Sequence, residues 1–385
     1  MIHPADRLEH IHEYYFSKKL REVRSLMNDG QDIINLGIGS PDLEPPQEAI
    51  RALKEAMQDT KAHQYQPYKG IPELRAAITA FYQTCYQVKL NPEENVLPLI
   101  GSKEGITHIS MAFLNEGDEV LLPNPGYPTY TSVTKLVGGK PVFYELNASH
   151  DYQPDFEQLE QRISSKTKLM WVSYPHMPTG AKPKADTFAK LKTFAEKHNI
   201  LVINDNPYSL TLNDNPKSFI DDFNNNAHIL ELNSLSKSFN LAGWRVGMLC
   251  GHQKLVSEVL KVKSNVDSGM FYGIQKGAIA AMKSPAAFIE EQNKIYQKRR
   301  ELIWQLCKQL GLKFETNSAG LFVWAKITNG KTSVEFSDEM LYKHQVFITP
   351  GHVFGSAGEG YVRFSLCIGK EQIKTCIERT KTTVV

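Results

Sequence analysis

The stretch Ser234-Leu-Ser-Lys-Ser-Phe-Asn-Leu-Ala-Gly-Trp-Arg-Val-Gly247 places one lysine, Lys237, among hydroxyl-bearing, small and apolar residues. A lysine amine attacks carbonyl groups only when burial or a nearby positive charge lowers its pKa. Both conditions are predicted, because a strand-like run, His228–Leu232, leads into the stretch and Arg245 follows the lysine. Arg245 begins a second strand-like run and carries a guanidinium suited to a phosphate. A lysine between serines is more often a solvated loop residue, so this candidate needs support from elsewhere.

Composition excludes several classes of function. The chain has 385 residues and a formal net charge of +2, with both signs interspersed, so no basic surface for nucleic acid is expected. No apolar run approaches the roughly 18 residues of a membrane span, and the first residues lack a signal-peptide core. The five cysteines are scattered along the chain and form no Cys-x-x-Cys pair. They are Cys85, Cys250, Cys307, Cys367 and Cys376. We therefore expect a cytoplasmic protein with no nucleic-acid or membrane partner and no metal site.

Short β-like runs alternate with helix-length patterns through most of the chain. The runs are Val96–Ile100, Glu119–Leu122, Pro141–Tyr144, Leu169–Ser173, Leu201–Ile203, His228–Leu232 and Val246–Cys250. Such alternation predicts an α/β fold with a predominantly parallel sheet that is covered on both faces. Ligands of these sheets bind beyond the carboxyl ends of the strands. Polar clusters at those ends are therefore candidate site residues.

The first such cluster is Gly101, Ser102 and Lys103, between a run and a helical pattern. Backbone N–H groups at the start of a helix, with a serine hydroxyl, can hold a phosphate. The simpler alternative is an N-cap formed by Ser102. Earlier in the chain, Pro72 and Glu73 predict the start of another helix, and Tyr65 lies in the exposed loop that approaches it.

Three more candidates follow other runs. Tyr127 could stack on a planar ring or fill core. Asp205 ends an apolar run, and Tyr208 follows three residues later. This carboxylate and phenol could pair with a pyridine nitrogen and a ring hydroxyl, or the aspartate could cap a turn.

The pattern changes after Ala280. A helix is predicted from about Pro285 to Leu310, followed by β-like runs at Gly320–Ile327, Val346–Thr349 and Tyr361–Leu366 and a terminal helix. Arg363 lies among apolar residues, so either an internal carboxylate or a substrate carboxylate must satisfy it. An amphipathic helix is predicted from Asp6 to Met27. We expect an N-terminal segment (1–45) joining a small domain (285–385), and a large domain (46–284) between them.

Together, these stretches resemble the class I/II aminotransferases of fold type I over nearly the whole chain. The resemblance implies a pyridoxal 5′-phosphate-dependent transferase with a large domain, whose mostly parallel sheet has seven strands, and a small α+β domain. It implies that Lys237 forms the Schiff base and moves the proton between substrate and cofactor. Asp205, Tyr208 and Tyr127 are the other catalytic residues that it implies.

The resemblance also implies how the cofactor and substrate are held. The cofactor contacts are Asp205 at the pyridinium nitrogen, Tyr208 at the 3-oxygen, Tyr127 on the ring, and Gly101, Ser102, Lys103, Ser234 and Arg245 at the phosphate. Tyr65 is similar to the tyrosine that reaches the partner subunit's phosphate, which implies a homodimer with shared active sites. Arg363 and the backbone of Gly39 match the groups that bind the substrate α-carboxylate.

One cofactor-binding position departs from the family pattern. The usual Asn-Pro-Thr-Gly appears here as Met177-Pro-Thr-Gly180, so the amide that donates a hydrogen bond to the cofactor's 3-oxygen is missing. A thioether cannot donate a hydrogen bond. His176 precedes it, although adjacent side chains in extended backbone point apart.

Three functions fit this resemblance. The first is a transaminase that moves the amino group of an L-amino acid to a 2-oxo acid, with 2-oxoglutarate as the expected acceptor. The second is a β-lyase or another non-transaminating enzyme with the same cofactor. The third is a non-catalytic cofactor sensor, but the chain has no spare length for an added DNA-binding module.

The sequence narrows the amino donor only in part. No arginine lies between Val246 and Lys298, so the second arginine of aspartate-specific relatives is not expected from that region. Lys263–Gly269 resembles the segment of relatives that act on alanine, methionine or diaminopimelate, and it does not choose among them.

Overall fold

The apolar runs and amphipathic patterns form the strands and helices of the computed structural model, which describes residues 2–9, 15–223, 226–284 and 286–381. The strands are β1 (Ile34–Asn35), β2 (Val96–Leu99), β3 (Glu119–Asn124), β4 (Lys140–Glu145), β5 (Thr167–Val172), β6 (Leu201–Asp205), β7 (Ile229–Ser234), β8 (Gly247–Gly251), β9 (Lys313–Phe314), β10 (Phe322–Lys326), β11 (Val346–Phe347), β12 (Thr349–Pro350) and β13 (Tyr361–Ser365). The helices are α1 (Tyr15–Asn28), α2 (Gln47–Ala56), α3 (Pro72–Tyr86), α4 (Ser102–Phe113), α5 (Pro128–Leu136), α6 (Phe156–Arg162), α7 (Thr187–His198), α8 (Leu235–Ser238), α9 (Gln253–Lys263), α10 (Tyr272–Met282), α11 (Ala286–Gln309), α12 (Ser333–His344) and α13 (Lys370–Thr380).

The predicted sheet is confirmed. Its seven strands lie in the order β2-β8-β7-β6-β5-β3-β4, and each neighbouring pair from β7 to β4 is parallel. Side chains alternate between the two faces of the central strands. Val120 and Leu122 enter one apolar cluster, whereas Leu121 enters the other. Helices cover both faces, which explains why these strands read as nearly continuous apolar runs.

Strand β8 is the exception in direction. It is antiparallel to both β2 and β7, so β2 runs the same way as the other strands. Because β8 is reversed, its first residues lie at the edge where the other strands end. Gly247 is opposite Leu99 on one side and Ser234 on the other. The segments that follow β2 and β7 and the segment that precedes β8 therefore meet at one edge.

A second sheet, of order β12-β13-β10-β9, is antiparallel and carries Arg363 in β13. The run predicted as one strand at Val346–Thr349 is divided. Val346 and Phe347 pair with β1, whereas Thr349 and Pro350 pair with β13, so Ile348 is where the chain passes from one sheet to the other. Among the described residues, no helix combines the length and apolar character needed to cross a membrane.

The N-terminal segment packs against the C-terminal part of the chain. Strand β1 pairs in parallel with β11, and Val23 of α1 forms a buried cluster with Ile33, Leu341 and Phe347. This packing supports the predicted division into domains, whose bounds stay a prediction.

The predicted start of the first helix is wrong. Residues Asp6–Leu8 form a short 3₁₀ turn, and no side-chain hydrogen bond caps it at Ala5. Residues 10–14 of the predicted helix lie outside the described residues, and α1 covers Tyr15–Asn28. Gly30, two residues after the end of α1, adopts a left-handed conformation at φ +89°. A glycine in this conformation ends the helix.

Replacing Phe347 with alanine should destabilise the contact between the two ends of the chain. The ring is fully buried. We expect the free energy of unfolding to fall by about 3–5 kcal/mol, as for other buried phenylalanines truncated to alanine. Denaturant unfolding followed by fluorescence measures the change. The control is Val334→Ala on α12, since Val334 is exposed. Equal stabilities of the two variants would contradict the importance of this cluster.

Candidate active site

A cavity of about 390 Å³ opens at the carboxyl edge of the large sheet. It is lined by most of the residues that the sequence analysis selected, namely Gly39, Ser102, Lys103, Tyr127, Met177, Asp205, Tyr208, Ser234, Lys237, Arg245 and Arg363. Gly101 lies directly behind this lining, beside Arg245. Tyr65 is not part of the cavity, and its side chain is 90% exposed.

Lys237 lies in α8, the short helix that begins where the fully buried strand β7 ends. Burial, opposed by Cys367 and assisted by the positive charges of Arg363 and Arg245, lowers the pKa of Lys237 to about 8. Its Nζ donates a hydrogen bond of 2.6 Å to the carbonyl oxygen of Gly39. A substantial fraction of this amine is therefore neutral near physiological pH, as the sequence predicted from burial and nearby charge.

Asp205 is the last residue of β6, and its side chain is buried. Its Oδ2 accepts a hydrogen bond of 2.9 Å from the hydroxyl of Tyr130. Its Oδ1 has no hydrogen-bond partner among the described residues. Burial raises the pKa of Asp205, the hydrogen bond from Tyr130 lowers it and the charge of Glu231 raises it, so that the pKa is about 7. A buried carboxylate oxygen without a donor is costly, so this atom is expected to bind a donor from a ligand.

The backbone at the start of α4 forms a close-fitting cradle. Gly101, at φ +82°, is the residue that precedes the helix, so the alternative that Ser102 is a simple N-cap is wrong. A Cβ at Gly101 would collide with the guanidinium of Arg245, and one at Gly247 would lie 2.6 Å from the backbone N of Ser102. Only glycines leave room for this contact between the helix start and the arginine. N–H groups and a cation in this arrangement favour a phosphate.

The strand predicted to begin at Arg245 begins at Gly247 instead. Arg245 adopts a left-handed conformation, at φ +58°, and its Nη1 donates to the carbonyl of Ala242 at 2.9 Å. This turn directs the guanidinium toward Gly101 instead of extending it along the sheet. Ser234 completes this side of the cavity, and its Oγ accepts a hydrogen bond of 3.1 Å from the N–H of Ser236.

Arg363 lies on the opposite side, in β13, with 5% of its surface exposed. Its Nη2 donates to the carbonyl of Gly37 at 2.9 Å, and its Nη1 is 3.6 Å from Met177 Sδ. The guanidinium carbon lies 3.9 Å from the ring centre of Phe322 and 4.7 Å from that of Phe354. Flanking rings stabilise a cation and fix the plane of the guanidinium.

The structure also shows what stands at the position of the missing asparagine. Met177 is buried in the cavity wall and contacts Arg363 through its sulfur. His176 is not among the lining residues. Its Nδ1 lies 2.8 Å from Thr179 Oγ1, and burial lowers its pKa to about 3, so the imidazole is neutral. His176 therefore does not take the place of the missing amide.

Sequence reasoning missed several residues of this site. Tyr130 lies in α5, three residues after Tyr127, which caps the helix, so this spacing could have placed both rings on one side of the helix. Phe322 and Phe354 gave no comparable signal, because apolar residues in a predicted domain read as core. Only the fold brings their rings to Arg363.

A partly buried cluster of ionisable residues beside the cradle was also missed. Glu104, His108 and Asp267 have potential metal-ligand atoms within 4.8 Å of one another, although no metal site was expected from the sequence. Lys263 Nζ lies 2.6 Å from Asp267 Oδ2. The lysine ammonium therefore already supplies a positive charge to this cluster.

Comparison with known proteins decides the family. The family model described as aminotransferase class I and II matches residues 31–379. The chain belongs to this family. It is 40% identical over 380 residues to an LL-diaminopimelate aminotransferase of Dehalococcoides mccartyi, covering 97% of each chain. It is 35% identical over 383 residues to the LL-diaminopimelate aminotransferase of Aquifex aeolicus, covering 99% of each.

A solved structure gives the same result for the fold. The chain matches the apo structure of BacF from Bacillus subtilis with a TM-score of 0.95 and 37% identity, covering 100% of this chain and 99% of that one. The fold is that of the fold type I aminotransferases, and the enzyme depends on pyridoxal 5′-phosphate. The cavity fits this cofactor, because it combines a reactive lysine, a carboxylate oxygen that lacks a donor and a backbone cradle beside an arginine.

The lowered pKa of Lys237 predicts unusual reactivity in the cofactor-free protein. Only a neutral amine reacts with acetic anhydride, so labelling of Lys237 should rise steeply as pH passes through about 8. The exposed Lys294 is the control, since the neighbouring Glu291 raises its pKa. Mass spectrometry of the digested protein measures both residues across a pH series. The same pH dependence at the two residues would contradict a neutral amine in the cavity.

Proposed function

We propose that this enzyme transfers the amino group of LL-diaminopimelate to 2-oxoglutarate, with Lys237 as the residue that carries the cofactor and moves the proton. One observation carries this proposal. Lys237, whose pKa is lowered, lies in one cavity between the cradle at the start of α4 and the buried Arg363. The choice of donor rests on the relatives at 35–40% identity, which are named LL-diaminopimelate aminotransferases.

The cofactor, when bound, supplies an electron sink that stabilises negative charge at the substrate's α-carbon. Asp205 Oδ1 would hold its ring nitrogen, because this oxygen is buried and has no donor among the described residues. Burial raises the pKa of Tyr208, so its phenol stays protonated and can donate a hydrogen bond to the ring's 3-oxygen. Tyr127 would stack on the ring, as a half-buried aromatic residue of the cavity wall.

The two ends of the cavity would bind the two anionic groups. At one end, the phosphate would be held by Gly101, Ser102, Lys103, Ser234 and Arg245. At the other, Arg363 and the backbone of Gly39 would bind the substrate α-carboxylate. The charge, fixed plane and aromatic flanks of Arg363 suit bidentate recognition of a carboxylate. Lys237 lies between these ends, and its Nζ is hydrogen-bonded to the carbonyl of Gly39. From this position the Nζ can take and return a proton.

A panel of amino donors with 2-oxoglutarate tests this function. We expect glutamate to form at least about 10-fold faster with LL-diaminopimelate than with alanine, methionine or aspartate, because a charged distal group that is recognised gives large discrimination. Lys237→Ala should retain cofactor through Arg245 and lose turnover by at least about 100-fold. Borohydride reduction of the wild type should attach the cofactor to Lys237.

Three results would contradict parts of this proposal. Release of ammonia without glutamate would show the lyase alternative, since only transamination passes the amino group to the acceptor. Covalent attachment at another lysine, such as Lys103, would overturn the role of Lys237. Faster turnover of a different donor would retain the transaminase and replace LL-diaminopimelate.

We further propose a cytoplasmic homodimer in which Tyr65 reaches the partner's phosphate site. Tyr65 and Tyr68 are exposed on one segment, and Val266 and Phe271 are exposed on another. The two segments touch, because a Cβ at Gly269 would collide with the carbonyl of Gln66. Exposed apolar residues on adjoining segments favour an association surface. The five cysteines form no disulfide, which suits a reducing compartment.

Mixing two inactive variants tests the shared site. Tyr65→Phe weakens the site of the partner, whereas Lys237→Ala inactivates its own site. Reassembled heterodimers should therefore contain one site with both residues intact and recover part of the activity. The interface should bury on the order of 2,000 Å² or more, as obligate dimers do. No recovery after mass spectrometry has confirmed subunit exchange would contradict sharing.

A further inference from the structure

The two oxygens of the Asp205 carboxylate have different surroundings. Oδ2 accepts the 2.9 Å hydrogen bond from Tyr130, whereas Oδ1 has no partner among the described residues. Both side chains are almost completely buried, with 5% of Asp205 and 2% of Tyr130 exposed. The tyrosine hydroxyl and the carboxylate therefore have little contact with bulk solvent. The orientation of this carboxylate depends on one phenolic donor.

The ring of Tyr130 is held on two sides. It stacks on Trp171 with ring centres 5.0 Å apart and planes 9° apart. The edge of Tyr127 packs against it at 5.5 Å and 89°. Trp171 belongs to β5 and is paired with Ile203 of β6, the strand that ends in Asp205. The tyrosine and the aspartate are thus fixed to neighbouring strands of one sheet.

We propose that Tyr130 is a positioning residue for the cofactor's ring nitrogen. It acts through Asp205, holding the carboxylate by Oδ2 so that Oδ1 is left for the ring. This rests on the proposed role of Asp205. Tyr130 itself needs no contact with the reacting atoms.

The Tyr130 hydrogen bond affects the pKa of Asp205 in a known direction, which can be tested. Burial raises the pKa of Asp205, and the hydrogen bond from Tyr130 lowers it. With both effects present, the pKa is about 7. Removing the hydroxyl should therefore raise that pKa further and leave more of the carboxyl neutral at pH 7. The ionisable groups that face Asp205 or share its cavity are Lys103 from α4, Tyr127 and Tyr130 from α5 and its cap, Tyr208 after β6, Glu231 from β7, Lys237 from α8, Arg245 before β8 and Arg363 from β13.

Tyr130→Phe tests the proposal through cofactor affinity, measured on cofactor-free protein by quenching of its fluorescence. We expect pyridoxal 5′-phosphate to bind about 10-fold more weakly at pH 7, because a hydrogen bond to a charged group is lost. The loss should shrink as pH rises, since Asp205 is then charged in both proteins. In the loaded enzyme, kcat should fall while KM for the amino donor changes little.

Tyr144→Phe is the matched control. Tyr144 is equally buried, and its hydroxyl donates a 2.8 Å hydrogen bond to the carbonyl of Trp171, the residue on which Tyr130 stacks. It has no bond to Asp205 and lines no part of the cavity. This variant loses one buried hydrogen bond from the same region and should leave the pH profile of cofactor affinity unchanged.

A double-mutant cycle separates positioning from packing. In an Asp205→Asn background, Tyr130→Phe should cause almost no further loss of affinity. Additive losses, or equal effects of Tyr130→Phe and Tyr144→Phe, would overturn the role of Tyr130. If Asp205→Asn itself leaves affinity unchanged, the assignment of Asp205 fails, and the proposal fails with it. Failure of the proposed transaminase would appear separately, as absence of glutamate formation by the wild type.

Discussion

The reversed direction of β8 is the constraint on which the active site depends. Gly247 in this strand is opposite Leu99 and Ser234, so the end of β2 meets the distant segment from Ser234 to Gly247 at one edge of the sheet. The glycine lets the backbone of Ser102 approach within contact distance, where a side chain would block it. A parallel β8 would place Arg245 at the opposite edge, away from Lys237 and from the start of α4.

Burial then gives each charged group of the cavity its chemical character. The same low-dielectric surroundings lower the pKa of Lys237 and raise that of Asp205. Local partners set how far each shift goes, through Arg363 and Arg245 for the lysine and Tyr130 for the aspartate. Arg363 keeps its charge in a buried strand between two aromatic rings. The site thus uses one environment to make an amine less basic and a carboxyl less acidic.

Much of the fold could be predicted from the sequence, because buried parallel strands read as short apolar runs between helical patterns. Periodicity contains no information on strand order or on the reversal of β8, since these depend on contacts between distant segments. The polar residues at strand ends were found because a charge or hydroxyl in an apolar context stands out. Phe322, Phe354 and Tyr130 were missed for the opposite reason: aromatic residues look like core until the fold places Arg363 or Asp205 beside them. The division at Ile348 could not be predicted either, because an apolar run does not show which of two sheets each residue joins.

The pairing of β1 with β11 has a consequence for how the protein is made. Ile34 pairs with Val346, and the carbonyl of Gly37 accepts hydrogen bonds from Arg363 and Thr349. A ribosome that synthesises the chain from its N-terminus releases these partners only after every strand of the large sheet. The large sheet can form earlier from its own strands, but the side of the cavity that contains Arg363 cannot be assembled until β13 has emerged. A chain truncated before β13 would have the cradle at the start of α4 without the arginine on the other side of the cavity.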